Sequence, residues 1–191
     1  MVEQLNSLGT WDARTIVSNM FPLLVVLCTI VLWAGITLEE AEQLLNDYGL
    51  LAVMVPTMVG AGGNLGTILS SRLTTRLHLG TTDLDLRDRI LWANVAAVLA
   101  LAATIFTALA VGAWVIGRVI DAPLALSELL TISLASGMSV ATLAVLFSFA
   151  TTYGSYRLGI DPDDTTIPVV TNVVDVFGMV IFLGVSRLVL G

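Results

Sequence analysis

Polar residues in this chain cluster at five places, and the stretches between them are almost continuously apolar. The first apolar stretch runs from about Thr15 to Thr37 and stops at Glu39, Glu40 and Glu42. The second begins near Leu44 and reaches about Ser71. The third covers Ile90 to Val119, the fourth starts at Ser127 and ends by Tyr156, and the fifth covers Thr165 to Leu190. A helix needs about 20 mainly apolar residues to cross the hydrocarbon core of a bilayer, and each stretch is that long. The pattern predicts an all-α polytopic membrane protein with five transmembrane helices. It divides into a short N-terminal tail, residues 1–14, and a single five-helix domain, residues 15–191.

Composition agrees with that pattern. Of 191 residues, 57% are hydrophobic and 12% are charged, against about a quarter charged in a soluble domain. The loops are too short to hold a sizeable soluble unit. The single cysteine, Cys28, lies inside the first apolar stretch and implies neither a disulfide nor a thiolate metal site. No basic region precedes that stretch, so the first span is expected to serve as the insertion signal.

Acids outnumber bases fifteen to eight, for a net charge of −7, and all eight bases are arginine. An acidic chain does not suggest a nucleic-acid partner and is compatible with a cationic substrate. Acidic, lysine-free loops fit a salt-rich cytoplasm, which points to a halophilic archaeal source. Six arginines (Arg14, Arg72, Arg76, Arg87, Arg89 and Arg157) fall on one side of a five-span arrangement, and Arg118 and Arg187 fall on the other. The positive-inside rule therefore predicts a multi-pass cell-membrane protein with a cytoplasmic N-terminus and an external C-terminus.

Two stretches carry candidate chemistry. In the fifth span, Thr171-Asn172-Val173-Val174-Asp175 sets an acid several turns from either end of an apolar helix. Insertion of such an acid costs roughly 2.5–3.5 kcal/mol, so it is expected to face an ion, a wet path or a partner. A bland alternative is a protonated aspartate bonded to a neighbouring helix. The second span reads Pro56-Thr57-Met58-Val59-Gly60-Ala61-Gly62-Gly63-Asn64-Leu65-Gly66-Thr67. Glycines and proline weaken a helix interior, so an interrupted helix is expected here, with freed carbonyls and the Asn64 amide facing a cation. The Gly62–Gly66 spacing fits close helix packing equally well. In the fourth span, Ser133, Ser136, Gly137 and Ser139 form a small, weakly polar face. His78, the sole histidine, reads as a solvated loop residue.

An enzyme is disfavoured. An aspartyl protease needs two carboxylates, only Asp175 lies deep in an apolar span, and no Ser–His pair or ligand cluster occurs at that depth.

Together the two stretches resemble a known family. Pro56…Gly62-Gly63-Asn64-Leu65-Gly66-Thr67 with Ser71-Arg72-Leu73-Thr74-Thr75 is similar to the second transmembrane helix of the MgtE and solute-carrier-family-41 magnesium transporters, closer to the solute-carrier branch. Asp161-Pro162…Pro168…Thr171…Asp175…Gly178 resembles their fifth. The resemblance implies a magnesium pathway at a two-fold interface between two such domains. Asp175 and the Thr171 carbonyl would hold hydrated Mg2+, with Pro56, Gly62, Gly63, Asn64, Gly66 and Asn172 lining the pore or packing its helices. Mg2+ keeps several waters in an octahedral shell, which a site of few charges and several oxygens suits. Expected partners are a second copy or a paralogous MgtE-type chain, the lipid bilayer, and a separate cytosolic regulatory subunit, because the family's N-terminal and CBS domains have no counterpart in these residues. Other readings are a proton- or sodium-coupled divalent cation exchanger and a non-conducting subunit of a heteromer.

Overall fold

The computed structural model describes residues 13–80, 88–122 and 124–191. Most of the N-terminal tail, the loop residues Asp83, Asp85 and Arg87, and Pro123 lie outside the described residues. The described chain is helical throughout: α1 (Ala13–Ala34), short α2 (Ile36–Glu40) and α3 (Glu42–Asp47), then α4 (Gly49–His78), α5 (Arg89–Val119), α6 (Leu126–Leu158) and α7 (Pro162–Leu190). Five helical stretches are long and apolar enough to cross a membrane, the first of them Met20–Glu40.

Local chemistry sets the ends. Asp88 caps α5 by accepting a 2.8 Å hydrogen bond from the Ile90 amide, and it pairs with Arg76 at 2.7 Å. The Ile90 amide and then the Arg76 guanidinium hold its carboxyl below the usual aspartate range. Asp161 caps α7 through the Asp163 amide at 2.9 Å, with Pro162 in the first turn where its missing amide hydrogen costs nothing. Gly159 closes α6 at φ +68°, a backbone that glycine adopts without strain.

Several boundaries differ from those expected, each for a local reason. α4 starts at Gly49, because Tyr48 breaks from the short helix before it. It continues past Ser71 to His78, so Arg72, Arg76 and His78 belong to a helix and not to a loop. The start of α6 is capped at Ala125, whose amide donates to Glu128 at 2.9 Å, so the helix begins at Leu126, one residue ahead of Ser127. α7 begins at Pro162, three residues ahead of Thr165.

α4, α5, α6 and α7 form the core, and α1 lies outside it, packed mainly on α7. Buried Met58, Leu65, Leu69, Phe106, Ile132 and Phe182 fill the centre. Within a bilayer apolar burial does little to drive helices together, so close packing and hydrogen bonds carry more of the association. The small face of α6 is used for this purpose. Ser133 Oγ donates to the Phe106 carbonyl of α5 at 2.7 Å, and the Phe106 ring occupies the space that a Cβ at Gly137 would need. Ser139 alone of that group is exposed. Ser70 of α4 bonds Ser148 of α6 at 2.9 Å. At opposite ends of the bundle Arg118 covers Trp114 and Arg157 covers Tyr153, with 4.9 and 4.7 Å from guanidinium to ring centre, the aromatic and basic pairing expected at a membrane interface.

α4 is not interrupted. It stays helical through Pro56 and all its glycines. The glycines' weakness is offset because α6 and α7 occupy the space they leave. A Cβ at Gly62 would meet Val140 Cγ1 at 2.5 Å and Val174 Cγ1 at 2.9 Å; one at Gly66 would meet Val170 Cγ1 at 2.5 Å. Gly66→Val is therefore expected to cost about 1–3 kcal/mol or more through overpacking, read as a fall in the melting temperature of the solubilised protein. Gly63→Ala should be nearly silent, since a Cβ there meets only Thr171 Cγ2 at 3.9 Å. Equal destabilisation by the two would contradict this packing.

Candidate functional site

α4 and α7 run antiparallel, with Val59 beside Gly178, Gly62 beside Val174, Gly63 beside Thr171 and Gly66 beside Val170. This register sets Asp175 level with Gly60 and Ala61, near the middle of both helices. Asp175 is 13 residues from Pro162 and Asn64 is 15 from Gly49, so each lies about 20 Å from a helix end.

The two faces of α4 are unlike. Met54, Met58, Leu65, Leu69 and Leu73 point into the core. On the other side Thr57, Gly60, Asn64, Ser71 and Thr75 are exposed, spaced three, four or seven residues apart. Pro56 is also on this outer side. Having no amide hydrogen, it leaves the Ala52 carbonyl without its usual helical donor. On α7 the buried stripe is Pro162, Thr166, Val170, Val174, Gly178 and Phe182. Thr171, Asn172 and Asp175 flank that stripe and are partly buried.

Asp175 makes no hydrogen bond or ion pair with any described residue. Its neighbours one turn earlier are tied to their own backbone. Thr171 Oγ1 donates to the carbonyls of Ile167 at 2.9 Å and Pro168 at 3.1 Å, and Asn172 Nδ2 donates to the Pro168 carbonyl at 2.8 Å. Pro168 thus supplies the acceptor that orients Asn172, whose Oδ1 accepts no hydrogen bond from the described residues and lies one turn from Asp175. The Thr171 carbonyl lies within a continuous helix.

Of the residues singled out in the sequence, the structure brings Gly63 and Thr171 together at the seam between α4 and α7, with Asp175 one turn further along α7 on the same side. Asn64 lies on the outer surface beside that seam. Gly62 and Gly66 contact α6 and α7 and lie inside the bundle. Thr57 and Gly60 were missed by sequence reasoning; the helical spacing of small and polar residues at 57, 60, 64, 67 and 71 was the signal for them.

These features define a five-span helical membrane protein with one acid at mid-depth on a polar seam. Residues 55–185 match the MgtE family of divalent cation transporters, and the chain belongs to that family. It is similar to the magnesium transporter MgtE of Thermus thermophilus, 32% identical over 98% of this chain and 42% of that protein. Mouse solute carrier family 41 member 3 is 28% identical over 75% of this chain and 30% of that protein. Mouse member 2 is 26% identical over 81% and 28% respectively. The chain thus spans less than half the length of each of these relatives.

Proposed function

We propose that two copies of this chain form a pathway for divalent cations, with Mg2+ as substrate, along the seam between α4 and α7. The observation that carries this reading is Asp175, an acid at mid-depth with no hydrogen bond or ion pair among the described residues, beside a polar stripe on the outside of its own bundle. A polar stripe facing lipid is unfavourable, since hydrocarbon offers no hydrogen bonds. A second copy related by a two-fold axis would cover it and bring two Asp175 carboxylates toward one axis. Two carboxylates at close range repel, and a divalent cation held between them would relieve that repulsion. Asn64 and Asn172 add neutral oxygens suited to the water shell that Mg2+ retains. The transported ion of the Thermus relative, named a magnesium transporter, is consistent with this chemistry.

The test is divalent uptake into proteoliposomes that contain only this chain. Mg2+ entry abolished by Asp175→Asn supports the reading; no uptake by the unaltered chain overturns it and favours a subunit that needs a partner. The orientation follows from the arginine distribution, with the loop after α4 cytoplasmic and the C-terminus outside. In a Cys28→Ala background, Leu79→Cys and Gly191→Cys are expected to react with a membrane-impermeant thiol reagent from opposite sides. Labelling of both from one side would contradict the five-span orientation.

A further inference from the structure

At the end of the bundle where α4 stops and α7 begins, His78 lies between two carboxylates. Its Nε2 is 3.6 Å from Asp161 Oδ1, and its Nδ1 is 3.7 Å from Asp163 Oδ2. Both distances exceed those of a hydrogen bond. One ligand atom from each of the three residues lies within 4.8 Å of the other two. Among the described residues no arginine pairs with Asp161 or Asp163. Asp161 Oδ1 is occupied in capping α7, which leaves its Oδ2 free to bind. A cleft of about 460 Å³, lined in part by Asp161, Asp164 and Thr165, opens beside the cluster.

We infer that His78, Asp161 and Asp163 form a second divalent-cation site, selective for metals that accept an imidazole (manganese, cobalt or zinc) over magnesium, and joining the ends of α4 and α7. Residues 83 positions apart in sequence supply one nitrogen and two carboxylates, and a metal bound at about 2.0–2.2 Å from each wants them roughly 3.0–3.4 Å apart. All three side chains are exposed, so small side-chain rotations close the remaining distance without disturbing the core. The nitrogen sets the preference: Mg2+ takes oxygen and keeps its water, while imidazole suits the later divalent ions. The same two helices carry the Asp175 seam about 20 Å away, so a metal here would tie together the ends of the helices that flank it. The binding itself stands on this geometry; only an effect on transport rests on the pathway proposed above.

The sole histidine of the chain makes the test direct. The full chain, purified through a histidine-free tag and placed in lipid nanodiscs, is titrated with Mn2+ and examined by electron spin echo spectroscopy. Nitrogen modulation on bound Mn2+ is expected, and only His78 can supply an imidazole. His78→Gln should remove it and weaken that class of Mn2+ binding roughly tenfold or more. Asp163→Asn should weaken the same class. Asp175→Asn should leave the modulation in place. Absence of modulation at saturating Mn2+, or unchanged Mn2+ binding in His78→Gln, overturns the inference. Loss of a separate, nitrogen-free class of Mn2+ binding in Asp175→Asn reports on the proposed pathway, and its failure there would leave the His78 site standing.

Discussion

Replacing Asp175 by asparagine is expected to reduce Mg2+ flux by roughly a hundredfold while leaving the fold intact. A carboxylate separated from a dication by one water, about 4.5 Å, attracts it by about 7 kcal/mol at an effective dielectric of 20. Displaced solvent offsets much of that, and a residue of about 2.7 kcal/mol is already a hundredfold in binding. Folding should not suffer, because Asp175 has no hydrogen bond or ion pair with the described residues to lose and a neutral amide is cheaper to hold at mid-depth than a charge. Asp175→Glu keeps the charge but extends it by one methylene into a path sized for a hydrated ion, so it should bind and conduct poorly. Uptake into proteoliposomes and Mg2+ titration of the solubilised protein measure the two effects separately. Wild-type flux in the asparagine variant would mean that Asp175 is a packing residue, since the amide retains hydrogen-bonding capacity.

The second large effect is expected at Gly60. A Cβ built there meets nothing within 4 Å inside the protomer, so Gly60→Trp should fold as a single copy. In the proposed dimer the same position is covered by the second copy, and an indole would hold the two apart. Light scattering should then report half the protein mass of the unaltered assembly, with transport abolished. A lipid-facing Gly60 would accept tryptophan with neither change, and an intact assembly with full flux would remove α4 from the interface. The contrast with Gly66→Val is informative: that change strikes the inside of one bundle and lowers stability, whereas Gly60→Trp strikes only what lies outside it.

Much of this protein was determined by hydrophobic patterning alone. Five apolar stretches, an all-helical membrane fold and one mid-depth acid follow from residue type along the chain, because a bilayer admits few ways to satisfy a backbone. The pairing of Asp175 with the glycine-rich stretch was legible as family resemblance, and helical spacing held the signal for the outer stripe of α4. The tertiary structure alone decided what the glycines do. Sequence propensity predicts a broken helix at Pro56–Thr67, yet α4 is continuous, because Val140, Val170 and Val174 from two other helices occupy the space left by Gly62 and Gly66. Propensity counts what a residue costs its own helix; packing depends on neighbours more than 70 positions away. His78 shows the same limit. In sequence it is the sole histidine, in a polar run after an apolar stretch. It meets Asp161 and Asp163 only because α4 runs seven residues beyond the apolar pattern and ends where the antiparallel α7 starts.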